Sequence, residues 1–209
     1  MTATAYLLLA FTVLAAAGDW WAVWRERRWA HYVCKPLAMV CLIGVALAIE
    51  PEDATARGWF VAALAWSLAG DVILLSVLDK AFLAGLAAFL VAHLAYVVGL
   101  GVVGGSGVGL VVGAAIVAVP LRMVGVAIVQ GARTRSLGPP VVAYVAVIST
   151  MVVAAIATGR PWAIVGAALF YASDALIGWD RFVRQQGWHA LAVIMTYHLG
   201  QIGLVLSLV

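Results

Sequence analysis

Leu68-Ala69-Gly70-Asp71-Val72-Ile73-Leu74-Leu75 places a carboxylic acid inside an apolar run long enough to cross a bilayer. Phe170-Tyr171-Ala172-Ser173-Asp174-Ala175-Leu176-Ile177 repeats the pattern in the second half of the chain. An ionisable side chain at membrane depth costs roughly 2.5–3.5 kcal/mol on insertion scales, and such residues usually mark function. Two acids in the same local context suggest one shared polar site, which the rest of the chain builds and encloses.

Composition agrees with a lipid solvent. Of the 209 residues, 66% are hydrophobic and 10% charged, against about 25% charged in a soluble domain. So few polar residues cannot cover a globular surface. The formal charge of +3 reads as a topology signal rather than a nucleic-acid footprint, because no basic cluster is interleaved with exposed aromatics. On one helix Cys34 and Cys41 would stand about 10 Å apart, too far for a disulfide, and they form no C-x-x-C pair. They read as packing residues. The N-terminal apolar run ends near Ala15-Ala16-Ala17, but no Lys or Arg precedes it, so it is expected to be a retained first helix.

Working outward from the two acids, apolar segments recur between polar or Gly/Pro breaks, and eight are long enough to span. They are expected near Tyr6–Trp24, His31–Ile49, Gly58–Leu78, Ala81–Val103, Val108–Val129, Val141–Thr158, Pro161–Trp179 and Trp188–Leu208. Arg25-Glu26-Arg27-Arg28, Glu50-Pro51-Glu52-Asp53, an Asp79-Lys80 turn, Gly104-Gly105-Ser106-Gly107, Arg133–Pro140 and an Asp180–Gly187 loop separate them. The expected fold is all-α: a polytopic membrane protein, one domain over 1–209, a bundle of eight transmembrane helices. Asp71 followed by His93, and Asp174 followed by His198, hint at a weak parallel repeat of 1–104 and 105–209. Arg25, Arg27, Arg28, Lys35, Lys80, Arg133, Arg135, Arg181 and Arg184 fall on one side, and only Arg57 and Arg160 on the other. The positive-inside rule then puts both termini outside the cytoplasm of a bacterial inner membrane. In that frame Asp71, Arg122 and Asp174 share a level roughly 20 Å from the outer helix ends. Asp19 and Lys35 fall toward the cytoplasmic side, and His93 and His198 near the middle. The agreement in depth favours one cavity. The nine tryptophans gather at expected helix ends, as an aromatic belt does.

Each polar residue has a structural and a chemical reading. Asp71, with Ser67 one turn earlier, is a carboxyl paired with Arg122 or Lys35, or a general acid or base. Asp174, with Tyr171 one turn earlier and Ser173 beside it, has the same two readings. Arg122 is a counter-ion or a phosphate binder; Lys35 snorkels to the surface or contacts a headgroup. His93 and Tyr96, like His198 and Gln201, are one turn apart. An intramembrane His often makes a helix–helix hydrogen bond, and no H-x-x-x-H pair argues for a metal.

Several of these marks together resemble the YhhN family of bacterial and animal membrane proteins, whose characterised members are lysoplasmalogenases. They are Lys35-Pro36, Ser67 to Leu75, Gly85 to Tyr96 with His93, Gly166 to Asp174, and Tyr197-His198-Leu199-Gly200-Gln201. The resemblance covers nearly the whole chain. It departs at His198, where the family more often has Tyr, so it carries no catalytic role to that position. What it implies is hydrolysis of the vinyl-ether bond of a lysoplasmalogen, giving a fatty aldehyde and glycerophospho-ethanolamine or -choline. Asp71 and Asp174 would be the catalytic acid and base, in unassigned order. Lys35, Ser67, His93, Tyr96, Arg122, Tyr171, Ser173, His198 and Gln201 would contact a lysophospholipid within the bilayer. No cofactor or metal is required. Two other classes fit the same residues: a proton- or cation-coupled transporter or lipid-binding protein using the acids, and a metal-dependent lipid hydrolase. Aldehyde release separates the first from the enzyme; chelator sensitivity separates the second.

Overall fold

The computed structural model describes residues 1–76 and 81–209; the expected Asp79-Lys80 turn lies outside them. Among the described residues all regular structure is helical. Eight helices are long and apolar enough to cross a membrane: α1 Ala3–Trp24, α2 Arg28–Ala48, α3 Ala54–Leu74, α4 Ala81–Val103, α5 Gly107–Arg133, α6 Gly138–Thr158, α7 Pro161–Phe182 and α8 His189–Leu206. Large apolar side chains point outward, Leu14 and Met123 being 67% and 71% exposed. Such a surface suits acyl chains, and the protein is an integral membrane protein.

The chain divides into two compact units. The first comprises Met1–Val103 with Val205–Val209, the second Gly104–Leu204.

In the first unit, local chemistry starts the helices. The Thr2 hydroxyl accepts from the Ala5 N–H at 3.1 Å and donates to the Ala48 carbonyl at 2.7 Å, so it caps α1 and ties it to the end of α2. Asp53 caps α3 by accepting from the N–H groups of Thr55 and Ala56. The cap starts α3 before Arg57, four residues earlier than the apolar run alone suggests. Helices α3 and α4 mesh glycine against bulk. A Cβ on Gly70 would lie 2.7 Å from the Phe89 ring, one on Gly85 2.5 Å from Leu74, and one on Gly99 2.7 Å from Phe60. With little hydrophobic drive between helices in lipid, close packing of this kind supplies the association. Phe60 also meets Tyr96 edge to face, with centroids 5.1 Å apart.

In the second unit, Gly105, Gly109 and Gly113 lie along α6, where added Cβ atoms would stand 2.9, 2.7 and 3.1 Å from Ala157 or Val153. Gly166 of α7 lies against the backbone of α8 at Gly200, Gly203 and Leu204, with 2.5 Å left for a Cβ. Pro120 interrupts α5. It has no N–H, and its ring crowds the preceding turn. The ladder widens to a π-turn over Leu121–Gly125, in which the Val126 N–H reaches the Leu121 carbonyl. Helix α7 continues to Phe182, so Asp180 is helical rather than the start of a loop.

Candidate active site

Each unit carries a carboxylate inside its helices, held by a partner from a neighbouring helix. In the first unit Asp71 stands in the last turn of α3, beside Gly70, where small neighbours bring helices close. Its Oδ1 is 3.0 Å from the Lys35 ammonium of α2, and the two side chains are 1% and 14% exposed. Of the two counter-ions the sequence left open for Asp71, Lys35 is the one found against it. Ser67, one turn earlier, is fully buried. His93 of α4 is also buried, and its Nδ1 is hydrogen-bonded to the Phe89 carbonyl one turn back. Tyr96 is buried against Phe60. His93 thus bonds within α4, and Tyr96 packs α4 against α3.

Asp19, placed by depth in the sequence but not among the site candidates, and His31, which sequence reading passed over, add to the first unit's polar groups. Asp19 of α1 is buried, and its Oδ1 lies 2.7 Å from Nδ1 of His31 in the first turn of α2. Lys35 follows His31 by one turn, so α2 offers two nitrogen side chains on one face, each against a carboxylate of a different helix. His31 stands beside three arginines in sequence and therefore reads as part of a solvated end. The only signal for it was the buried acid at Asp19, which needs a partner.

In the second unit the Tyr144 hydroxyl of α6 donates to Asp174 Oδ2 of α7 at 2.6 Å. Tyr144 was also passed over; a lone phenol inside an apolar run was its signal. Ser173 donates to the Val193 carbonyl of α8 at 3.0 Å, so its hydroxyl joins two helices. Tyr171 is half-buried, while His198 and Gln201 are buried on α8. Arg122, in the π-turn, is exposed. At the α7–α8 turn His189 Nδ1 is bonded to Asp180, which also accepts from the Gln186 N–H at 3.2 Å. Among the described residues no three His, Cys, Asp or Glu side chains gather as metal ligands.

Chemically, the arrangement offers a buried carboxylate at Asp71 and a part-buried one at Asp174, each with a partner from a neighbouring helix. The Asp71 charge faces an ammonium; the Asp174 oxygen faces a neutral phenol. Such groups can hold and exchange protons.

Comparison with known proteins agrees with the resemblance. The family model described as YhhN family matches residues 30–208. Mouse lysoplasmalogenase TMEM86B is 28% identical over 190 residues, covering 90% of this chain and 79% of its own. A lysoplasmalogenase of Mycobacterium bovis is 34% identical over 173 residues, covering 78% of this chain and 65% of its own. No solved structure matches.

Proposed function

Because the chain belongs to the YhhN family, we propose that it is a lysoplasmalogenase-like hydrolase, acting on the vinyl-ether bond of a lysophospholipid within the membrane. The names carried by its relatives support the substrate class. The observation that carries the reading is the buried Lys35–Asp71 pair at 3.0 Å, a costly feature in a membrane helix and a usual mark of function.

The reaction begins with a proton delivered to the outer alkenyl carbon. The resulting oxocarbenium ion adds water, and the hemiacetal collapses to aldehyde and glycerol hydroxyl. Two carboxyl groups in different environments suit the opening step. Asp71, facing a full positive charge, is the one to remain ionised and stabilise the cation. Asp174, facing a neutral hydroxyl, is the one to carry the proton. Lys35 is in addition a contact for the headgroup phosphate once substrate is bound, and Ser67, Tyr171 and Ser173 flank the two acids. The orientation proposed has both termini on the non-cytoplasmic side of a bacterial inner membrane, as the distribution of basic residues favours.

The test is aldehyde release from a lysoplasmalogen by the purified protein in detergent. Wild type is expected to turn over, while folded Asp71→Asn and Asp174→Asn variants lose activity by at least about 100-fold. Full activity in both variants removes the two-carboxyl mechanism. A wild type that binds the lipid without releasing aldehyde favours a lipid carrier instead.

A further inference from the structure

Two carboxylate–imidazole pairs span helix–helix turns, one in each unit, and they are built in opposite senses. In the α7–α8 pair the imidazole is the hidden member: the His189 side chain is 5% exposed and Asp180 29%. In the α1–α2 pair the carboxylate is hidden: Asp19 is 0% exposed and His31 28%. The first is a clasp, with a buried ring tethered by an acid at the rim. The second has the order found where an acid orients a working imidazole: a buried carboxylate hydrogen-bonded to Nδ1 of a ring that is itself part-exposed.

The geometry fixes what that ring can do. A carboxylate accepts only, so the 2.7 Å contact puts the proton of a neutral His31 on Nδ1. Nε2 is then a lone-pair acceptor, and it has no partner among the described residues. One turn further along α2 stands Lys35, bonded to Asp71. A base and Lys35, the partner of Asp71, thus share one face of α2. Helix polarity does not account for the Asp19–His31 pair. The imidazole, in the first turn of α2, sits at the helix end that disfavours its positive charge, and Asp19 lies outside the last turn of α1, where the dipole has faded. Asp19 also precedes the region matched by the family model, 30–208, so the family match assigns it nothing.

We propose that His31, oriented by Asp19, is a further catalytic residue: the base for the water-addition half of the reaction. This rests on the vinyl-ether reading above. After the carboxyl donor has protonated the alkenyl carbon, water oxygen bonds to the oxocarbenium carbon and one water proton passes to His31 Nε2. Asp19 faces the imidazolium so formed. When the hemiacetal breaks, the carbon–oxygen bond to glycerol is cleaved, and His31 returns its proton to the departing glycerol oxygen. The hemiacetal hydroxyl proton goes to the carboxylate that gave up its own. One water is consumed, and both catalytic groups are restored. Asp71 is left with the single task of stabilising the cation.

The experiment measures aldehyde release by the 209-residue protein in detergent, with lysoplasmalogen as substrate, for wild type, His31→Gln, His31→Ala, Asp19→Asn and His189→Gln. His31→Gln is expected to lower kcat by about 100-fold or more with KM little changed. Free imidazole should restore part of the turnover in His31→Ala. Asp19→Asn, whose amide can hold the opposite tautomer, should also fall in kcat. His189→Gln should keep the wild-type kcat per folded molecule. If His31→Gln does not fold, as judged by gel filtration in detergent, Asp19→Asn decides on the same criterion. Wild-type kcat in the deciding variant, or a loss in KM alone, overturns the assignment and leaves the hydrolase reading standing. A wild type that releases no aldehyde overturns both.

Discussion

Lys35 is the residue whose removal says most about the buried charge. It is 14% exposed, and the carboxylate it compensates is 1% exposed. Lys35→Met takes the ammonium away from the buried Asp71 carboxylate, and breaking such a pair from one side costs about 3 kcal/mol. The expected result is a loss of that order in denaturant unfolding in detergent. The loss should be much smaller when Asp71→Asn is already present, because the double variant no longer buries that carboxylate charge. An equal loss in both backgrounds would show that the two side chains do not interact. The charges themselves were legible in the sequence, since an acid or a base stands out in an apolar run. Their pairing was not: nothing in spacing alone chose Lys35 over Arg122 for Asp71. That choice depends on how α2 and α3 rotate about their axes, which spacing does not give. Tyr144 and His31 were illegible for a different reason. A Tyr in an apolar run and a His beside arginines both have ordinary explanations until a partner is seen across the helix gap.

At the scale of helices, packing rests on close approach rather than on bulk. Gly166→Leu would drive its side chain into the α8 backbone, where only 2.5 Å separates an added Cβ from the Leu204 nitrogen. Overpacking of this kind typically costs about 1–3 kcal/mol, and a clash with backbone leaves no flexible side chain to yield. A lowered melting point in detergent is the expected outcome. Gly58 gives the opposite case. It lies inside α3 with nothing within 4 Å of an added Cβ. Gly58→Ala should therefore raise stability by up to about 1 kcal/mol. Equal effects at the two positions would mean that glycine serves no packing purpose at Gly166. The number and order of the helices were readable because each apolar run has spanning length. Their ends were less so. Arg57 read as a break, although Asp53 caps the helix ahead of it. Asp180 and Arg181 read as loop, although they complete the last turns of α7. Pro120 was visible, but its outcome as a π-turn depends on how neighbouring carbonyls find donors.

For the molecule as a whole, orientation is the property that sequence addresses most directly and coordinates least. The imbalance of arginine between alternate turns makes a direct forecast. In a variant lacking Cys34 and Cys41, a cysteine replacing Ser106 should react with an impermeant maleimide added to intact cells. One replacing Ser136 should react only after lysis. Both turns are exposed, so the contrast reports sidedness rather than burial; the reverse pattern inverts the orientation. One further consequence concerns the thickness of the host membrane. At 1.5 Å per residue, the 27 residues of α5 run to roughly 40 Å and the 18 of α8 to about 27 Å. A hydrocarbon layer of about 30 Å is overshot by one and barely met by the other. Within the same unit, then, α5 must lean or protrude while α8 pulls the lipid inward. Acyl-chain length in the surrounding bilayer thereby becomes a mechanical variable, acting on the helix bundle that holds Asp174.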